Sequence, residues 1–532
     1  MRATSIGHAG ILVETDAGSI VCDPWFLPAF FGSWFVFPRN DRLSDDLLER
    51  IHGADYLYIT HLHADHHDEP WLREHLRRDI PILLPGYPTR EQQRTLAGLG
   101  FTEFIRTTDG EEMELAPGLT IAIHTEVSIT DGPGGDSAMV VSDGATRLVN
   151  QNDCRTTDLD ALRAHGPVDM HWLQYSGAIW YPMVYEVPDD EMRRLVDAKV
   201  EHQFTRAMRY VEAIDARAVV PSAGPPAFLD DDLWHLNVIT GDELSIFPDQ
   251  RSFMARLADA GHRGVLAIPG TEIDVTPDSI DVRHPVPDEE LAAIFDDKER
   301  YQRDYQSDWQ PWLDDMKAGW NPPSTDLIAT LRAWWEPLLR MAPTLCSAVG
   351  ANCLIRTGDL EILIDFPAAE VRPYDGEPYA FRFTIPRPLV ETVTAQRAVD
   401  WSNSLLLSAR FSAWREGDFN EYLYNFLKSL SVELMRRTEA EAIRKLSPPT
   451  EVEPDVELGG NVVQRRCPLR NADLSVFGEI ETDDDGNDVL VCTLHGWRFD
   501  CGSGRCLTSA DHPLRIERAG QASDATSTTS TV

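Results

Sequence analysis

Long apolar runs are missing from this chain. No stretch approaches the ~20 residues that a membrane-spanning helix needs, and the N-terminus has no basic region followed by an apolar one. Both absences argue against a membrane partner and lead to the expectation of a cytoplasmic protein. Cysteine is scarce: eight residues in 532, at positions 22, 154, 346, 353, 467, 492, 501 and 506. That is too few for a disulfide framework, and four of them crowd between 467 and 506, as a local site would. Basic side chains are outnumbered, 48 Lys and Arg against 87 Asp and Glu, for a net charge of −39. Such a field repels nucleic acid, which excludes a nucleic-acid partner and hints at a neutral or cationic ligand. Apolar residues are not lacking; at 42% they suffice for real cores. At this length about two to four domains are expected.

The densest chemistry lies in Thr60-His61-Leu62-His63-Ala64-Asp65-His66-His67-Asp68, where six of nine residues can bind a metal. It follows Tyr56-Leu57-Tyr58-Ile59, an apolar run that reads as a buried strand. A strand leading into His-x-His-x-Asp-His places two imidazoles on one side and a carboxylate and an imidazole on the other. That suits two adjacent metal ions with nitrogen and oxygen ligands and an open position. The plain alternative is a His-rich surface loop.

Residues 1–285 alternate short apolar runs with helical stretches and Gly/Asp turns. Ile11 to Thr15 and Ser19 to Cys22 read as a hairpin turning at Asp16-Ala17-Gly18. Strands are also predicted at Ile82 to Leu84, Leu119 to Ile123, Ala138 to Val141 and Arg147 to Asn150. The mixture predicts an α/β fold, an αββα sandwich with the metal site at its strand ends.

Gly7-His8-Ala9, Cys22-Asp23-Pro24-Trp25 and His61-x-His63-x-Asp65-His66 together resemble the metallo-β-lactamase fold, in the group that holds ascorbate-6-phosphate lactonase and CMP-N-acetylneuraminate hydroxylase. The hydroxylase is the nearer likeness. It is carried by Asp23 to Phe30 with Gly32-Ser33-Trp34, Asn152-Asp153-Cys154, Tyr175-Ser176-Gly177-Ala178, Trp180-Tyr181-Pro182 and Pro221-Ser222-Ala223-Gly224. The resemblance implies that His61 and His63 hold one metal and Asp65 and His66 the second. Asp153 bridges them unless it is an ordinary Asx-turn residue, and Asp65 and Asp153 are the implied catalytic acids. Two departures stand out. A histidine usual near an Asp-Gly-x-His pattern is replaced by Asp131-Gly132-Pro133-Gly134-Gly135-Asp136, so His124 either fills that place or is a partly buried strand-end imidazole. A last histidine is replaced at Val219-Val220-Pro221-Ser222. His8, Asp23, His67 and Asp68 are expected to orient ligands from behind. Tyr175, Ser176, Trp180 and Tyr181 are expected to line a substrate pocket or to be core.

Residues 286–343, rich in charge, Trp and Tyr, predict a helical connector over the first domain. From 344 to 450 the pattern resembles the sterol-carrier-protein-like α+β module, either an apolar tunnel or a spacer. Its predicted parts are a hairpin of Asn352 to Thr357 and Leu360 to Asp365, a strand at Tyr379 to Thr384, a helix opened by Pro386-Arg387-Pro388, and one amphipathic helix from Phe419 to Arg437. Ser447-Pro448-Pro449-Thr450 reads as a linker.

Residues 456–518 contain Cys467-Pro468-Leu469-Arg470-Asn471 and Cys492-Thr493-Leu494-His495-Gly496, which resemble a small all-β Rieske domain. Such a domain holds one iron of a [2Fe-2S] cluster by two Cys and the other by two His. Cys467, Cys492 and His495 stand at ligand positions, but Leu469 occupies the place of the first histidine. Either Arg470, His512, Cys501, Cys506 or solvent completes the set, or the fold persists without its cluster. The tail, 519–532, is expected to be disordered.

A dinuclear metal site joined to an electron-transfer fold leads to one reading: a monooxygenase, dinuclear in iron (or zinc or manganese), acting on a small polar molecule with O₂ and a ferredoxin- or reductase-type electron donor. The alternative is a lactonase or phosphoesterase whose Rieske fold is inert. A non-enzymatic carrier is the third.

Overall fold

The computed structural model describes residues 1–126, 135–156, 158–446, 453–468, 472–483, 486–493, 496–508 and 512–518. The turn at Asp131 to Gly134, the Ser447 to Thr450 segment and the tail from 519 lie outside the described residues. Two compact units emerge, Met1–Arg415 with Glu421–Ala442, and Glu416–Asn420 with Ile443–Val532.

In the first unit, six strands open the chain: β1 (Arg2–Gly7), β2 (Gly10–Thr15), β3 (Gly18–Cys22), β4 (Tyr56–Tyr58), β5 (Ile82–Leu84) and β6 (Phe104–Arg106). Next come β7 (Glu112–Ala116), β8 (Leu119–Glu126), β9 (Asp136–Ser142), β10 (Arg147–Asn152), β11 (Met170–Gln174) and β12 (Ala218–Ser222), then β13 (Glu272–Val275) and β14 (Ile280–Arg283). One sheet runs β14-β13-β1-β2-β3-β4-β5-β6 and the other β12-β11-β10-β9-β8-β7. The predicted hairpin is there, with Thr15 opposite Gly18.

Side chains alternate across each strand, so a strand covered on both faces must be apolar at odd and even positions alike. β2 shows it. Ile11 and Val13 face the inter-sheet core with Ile20, Tyr58, Ile123, Met139 and Trp172. Leu12 faces out, with Val21 and Leu57, onto Leu47, Ile51, Trp71, Leu72 and Leu96 of the helices Asp45–His52, Glu69–His75 and Glu91–Gly98. On the far side, Ala122, Val140 and Val149 meet Leu162 and Ile214 of the helices Leu159–Ala164 and Asp189–Ile214. This is the expected αββα layering, and each such buried side chain contributes about 1.5–3 kcal/mol.

Helices cover residues 288–296, 298–318 and 327–341, as the connector's composition suggested. The middle module is a five-stranded sheet built from β15 (Asn352–Thr357), β16 (Leu360–Asp365), β17 (Glu370–Pro373), β18 (Phe381–Thr384) and β19 (Ser412–Arg415), in the order β17-β16-β15-β18-β19. The single amphipathic helix expected from Phe419 to Arg437 is instead two, Glu421–Leu427 and Val432–Leu446. Tertiary contacts claim the break: the Leu430 amide donates to the Val399 carbonyl at 2.8 Å, and the Ser429 and Thr438 hydroxyls pair at 2.5 Å.

A buried ion cluster ties the middle module to the aromatic loop of the first domain. Arg410 places Nη1 2.6 Å from Asp230 Oδ2 and donates from Nη2 to the Gly32 carbonyl, while Lys317 lies 2.5 Å from the same carboxylate. Removing one partner of a buried pair strands the other's charge, which costs about 3–5 kcal/mol. Asp230→Ala is therefore expected to lower the thermal midpoint of this unit by several degrees, and an unchanged melting curve would show that the cluster holds nothing together.

The second unit carries two three-stranded sheets, residues 456–458, 461–463 and 516–518, and residues 478–482, 488–492 and 497–500. Cys467, Cys492 and Phe499 are fully buried in it. Among the described residues no helix is long and apolar enough to cross a membrane.

Candidate metal centre

Every residue of the centre sits where a strand of the sandwich ends. His8 lies in the β1–β2 turn, Asp23 follows β3, Thr60 to Asp68 follow β4, and Asp153 follows β10. Four residues at these ends, His8, Asp23, Asn152 and Ala223, adopt left-handed φ of 54°, 43°, 46° and 48°. Non-glycine residues avoid that region unless surrounding contacts enforce it, and such strain gathers at functional sites. Here the enforcement is visible: the Ala223 amide donates to the His8 carbonyl at 3.0 Å, and Asn152 Nδ2 donates to Asp23 Oδ2 at 3.2 Å.

Two sets of three side chains offer ligand atoms within 4.8 Å of one another: His8, Asp65 and His66, and His61, His66 and Asp153. His66 belongs to both. Its Nε2 is 3.7 Å from Asp65 Oδ2 and 3.6 Å from Asp153 Oδ1, and His8 Nε2 is 3.1 Å from Asp65 Oδ2. His63 joins through Nδ1, 2.9 Å from His61 Nε2. The buried His66 Nε2 and Asp153 Oδ1 have no hydrogen-bond partner among the described residues. A buried polar atom without a partner costs about 1–3 kcal/mol, and a cation between these atoms would remove that cost. The donor set, imidazole nitrogen with carboxylate oxygen, fits two divalent ions such as iron, zinc or manganese.

Electrostatics agree with the geometry. Burial alone would push His66 down, but the carboxylates of Asp153, Asp65 and Asp23 outweigh it and hold the imidazolium up to about 10. Burial would raise Asp65, yet His66 and His8 keep it well below the usual carboxylate range. Burial and then His66 and His63 push His61 far down, while burial lifts Asp153. The carboxylate field that protonates His66 is the field a metal cation would occupy.

The surroundings fix the ligand rings. Asp23, fully buried, accepts from the Thr60 amide at 2.8 Å and its hydroxyl at 2.7 Å, and its Oδ2 lies 2.9 Å from His66 Nδ1. That contact turns His66 Nε2 towards Asp65 and Asp153, as carboxylate–histidine pairs behind metals do. Tyr87 and Ser137 donate to the Thr60 carbonyl at 2.6 and 2.8 Å, which pins the start of the loop.

Several residues stand elsewhere than the sequence reading put them. His8, expected behind the ligands, belongs to one of the two candidate sets, while the Ser222 hydroxyl donates to Asn152. His124, one candidate ligand, pairs its Nε2 with His165 Nε2 at 2.8 Å, outside both sets, because the end of β8 faces that imidazole. The neighbour sequence reasoning missed is Asp136, the first residue of β9, with Oδ1 3.4 Å from His61 Nδ1. An acid two positions before the apolar run at Ala138 was its only signal. Asp68 caps the helix Glu69–His75 and accepts from the Phe26 and Leu27 amides at 2.9 and 2.7 Å, so it anchors the aromatic loop. His67 is buried, which depresses it to about 4, and its amide donates to the His63 carbonyl at 2.8 Å.

Tyr175 is core, its hydroxyl on the Gly224 and Pro248 carbonyls and its ring stacked 5.3 Å from Phe253; Ser176 is fully buried beside it. Trp180 packs on Tyr185, Phe411 and Tyr424, and Arg415 lies 5.6 Å over Tyr181, which makes this pair a seam with the middle module. Tyr185 and Tyr424 hydroxyls meet there at 2.6 Å.

In the second unit Cys467 and Cys492 are buried at the mouths of two turns, closed by the Cys467 amide on the Ala472 carbonyl and the Gly496 amide on the Cys492 carbonyl. Leu469, Arg470, Asn471 and His495 lie outside the described residues. By sequence the donors there are two thiols and one imidazole, one imidazole short of the two-Cys, two-His set. Cys501, Cys506 and His512 are buried, with the His512 ring 5.0 Å from Trp497.

Comparison with known proteins gives the following. The Rv3818-like, SCP2-like domain family matches residues 327–444, and the Rieske [2Fe-2S] domain family matches residues 449–516. A Rieske 2Fe-2S iron–sulfur protein of Mycobacterium tuberculosis is 43% identical over 530 residues, 97% of this chain and 100% of the relative. Cytidine monophosphate-N-acetylneuraminic acid hydroxylase of Mus musculus is 25% identical over 238 residues, 42% of this chain and 39% of that enzyme. Among solved structures, a metallo hydrolase from the archaeon Ignicoccus hospitalis is similar at 17% identity, covering 53% of this chain and 98% of its own, with a TM-score of 0.34.

Proposed function

Because the chain belongs to the family of Rieske 2Fe-2S iron–sulfur proteins that includes its mycobacterial relative, we propose that it is a metal-dependent oxygenase acting on a small molecule. The observation that carries the reading is the coexistence, in one chain, of two overlapping His/Asp ligand sets with a Rieske domain. The partial likeness to a hydroxylase supports the same direction. In this reading His61, His63 and Asp153 would hold one ion and His8, Asp65 and His66 the other, with Asp153 shared. Bound there, the ions would supply Lewis acidity and, as iron, the redox capacity that O₂ chemistry needs.

The chain's own residues have definable tasks. Asp23 holds His66 by Nδ1, and Asp136 stands behind Nδ1 of His61, so each ring offers Nε2 forward. Asp65 and Asp153, in imidazole surroundings, serve as ligands rather than as free proton carriers. Small-molecule substrate, O₂ and a ferredoxin- or reductase-type donor are the partners this reading requires.

A hydrolase is the second reading, and Leu469 favours it, since the missing imidazole weakens the case for a working cluster. Metal and acid-labile sulfide, measured on the same anaerobically purified sample, separate the two. About four irons and two sulfides per chain are expected for the oxygenase. Zinc at the first site, no sulfide, and turnover that needs neither reductant nor O₂ would replace it with the hydrolase.

A further inference from the structure

Outside both ligand sets, two imidazoles face each other near the β7 edge of the second sheet. His124 stands near the end of β8, and His165 caps the C-terminal end of the helix Leu159–Ala164. Their Nε2 atoms are 2.8 Å apart, with the rings edge-on at 78°. His61 and His63 of the first centre meet in the same manner, nitrogen to nitrogen at 2.9 Å and at 76°. Behind His165, Glu112 of β7 places Oε1 3.0 Å from Nδ1. A carboxylate only accepts, so Nδ1 carries the proton and the neutral ring turns its Nε2 lone pair towards His124. Asp23 stands behind His66 alike, at 2.9 Å. The other edge of His124 is closed by the turn before β7, where a Cβ on Gly110 would lie 3.4 Å from Nδ1. The Gly110 amide fixes that turn by donating to the Ile123 carbonyl at 2.8 Å.

Burial, then the neighbouring His165, lowers His124 below the ordinary imidazole value, against the pull of Asp109 and Asp158, so its ring is neutral at pH 7. Metal ligation needs that neutral form. Two ligands about 2.0–2.1 Å from a tetrahedral ion lie about 3.3 Å apart, so the rings need part by only about half an ångström. We propose that His124 and His165 form a further site for one divalent transition ion such as zinc, bound through both Nε2 atoms with Glu112 orienting His165. Asp109 and Asp158 add negative field, which favours a cation there. Among the described residues no carboxylate completes a close trio with the pair, so solvent fills the remaining coordination positions. The site is separate from the first centre and does not depend on the oxygenase reading.

The test is titration of the full chain, its first centre already loaded, with zinc alone, the bound metal being counted after gel filtration. One further zinc per chain is expected. His124→Gln and His165→Ala should each remove it and leave the metal content of the first centre unchanged. Glu112→Ala should weaken it about 10–100-fold, as loss of a carboxylate behind a ligating imidazole does. If the buried His124→Gln fails to fold, His165→Ala at the half-buried helix end carries the test. Uptake of no further zinc, a further zinc retained in His165→Ala, or unchanged affinity in Glu112→Ala would overturn the proposal. Iron, sulfide and O₂-dependent turnover, measured on the same samples, judge the oxygenase reading separately.

Discussion

His66→Ala is expected to lose the ion that His8, Asp65 and His66 would hold and to abolish turnover. His66 is the only residue shared by the two ligand sets found among the described residues, and its Nε2 stands 3.7 and 3.6 Å from the two carboxylates that face it. Losing one strong ligand from a three- or four-donor site ordinarily costs orders of magnitude in affinity. Losing this one also leaves Asp65 and Asp153 facing each other without their nearest cation, which raises the cost of keeping both ionised. Metal content after exhaustive dialysis should fall from about two ions at this centre to about one, while near-ultraviolet circular dichroism stays native, because the inter-sheet core is built from apolar side chains at other positions. Protein that still carries two ions and turns over would remove His66, and the ligand assignment with it, from the mechanism.

Asp23→Ala should be the most damaging change that touches no metal. Asp23 is fully buried and serves four groups at once: the Thr60 amide and hydroxyl, His66 Nδ1 and Asn152 Nδ2. Alanine would leave those groups facing a cavity, and one such network broken from one side costs about 3–5 kcal/mol. The freed His66 ring would lose its preferred orientation, a change that typically weakens metal affinity about 10–100-fold. The expected result is an earlier thermal transition together with easier removal of the ions by a chelator. Asp23→Asn keeps the size and one acceptor but loses the charge and the second acceptor, so it should retain more stability than affinity. Wild-type metal retention in Asp23→Ala would mean that the first ligands are positioned by the backbone alone.

The largest element of the site was legible because it is contiguous. His61, His63, Asp65 and His66 lie within six residues after an apolar strand, and no tertiary information is needed to see that such a spacing brings them together. The hairpin at Asp16 to Gly18 and the strands at 82–84 and 147–150 were legible for the same reason, since turn chemistry and period are local. β1 was not read as a strand, because Arg2-Ala3-Thr4-Ser5-Ile6-Gly7 carries polar residues that become buried only through pairing with β2 and β13. The helix break near Leu430 was invisible, since the group that interrupts it, Val399, is some thirty positions away.

Composition and local pattern thus determined that the chain is acidic and α/β at the start, with candidate metal ligands clustered in one loop, and the resemblance of its cysteine motifs marked the Rieske end. Tertiary structure alone decided which side chains complete the centre. His8 reaches Asp65 across 57 positions, Asp136 stands behind His61, and His124 turns aside to His165. It also packed Trp180 and Tyr181, expected either in a pocket or in core, into a seam with the middle module. The physical reason is common to all of them. A residue's type and spacing limit the chemistry it can do, but burial, charge and hydrogen-bond partners come from chain segments far away in sequence, and those exist only once the sheets have closed.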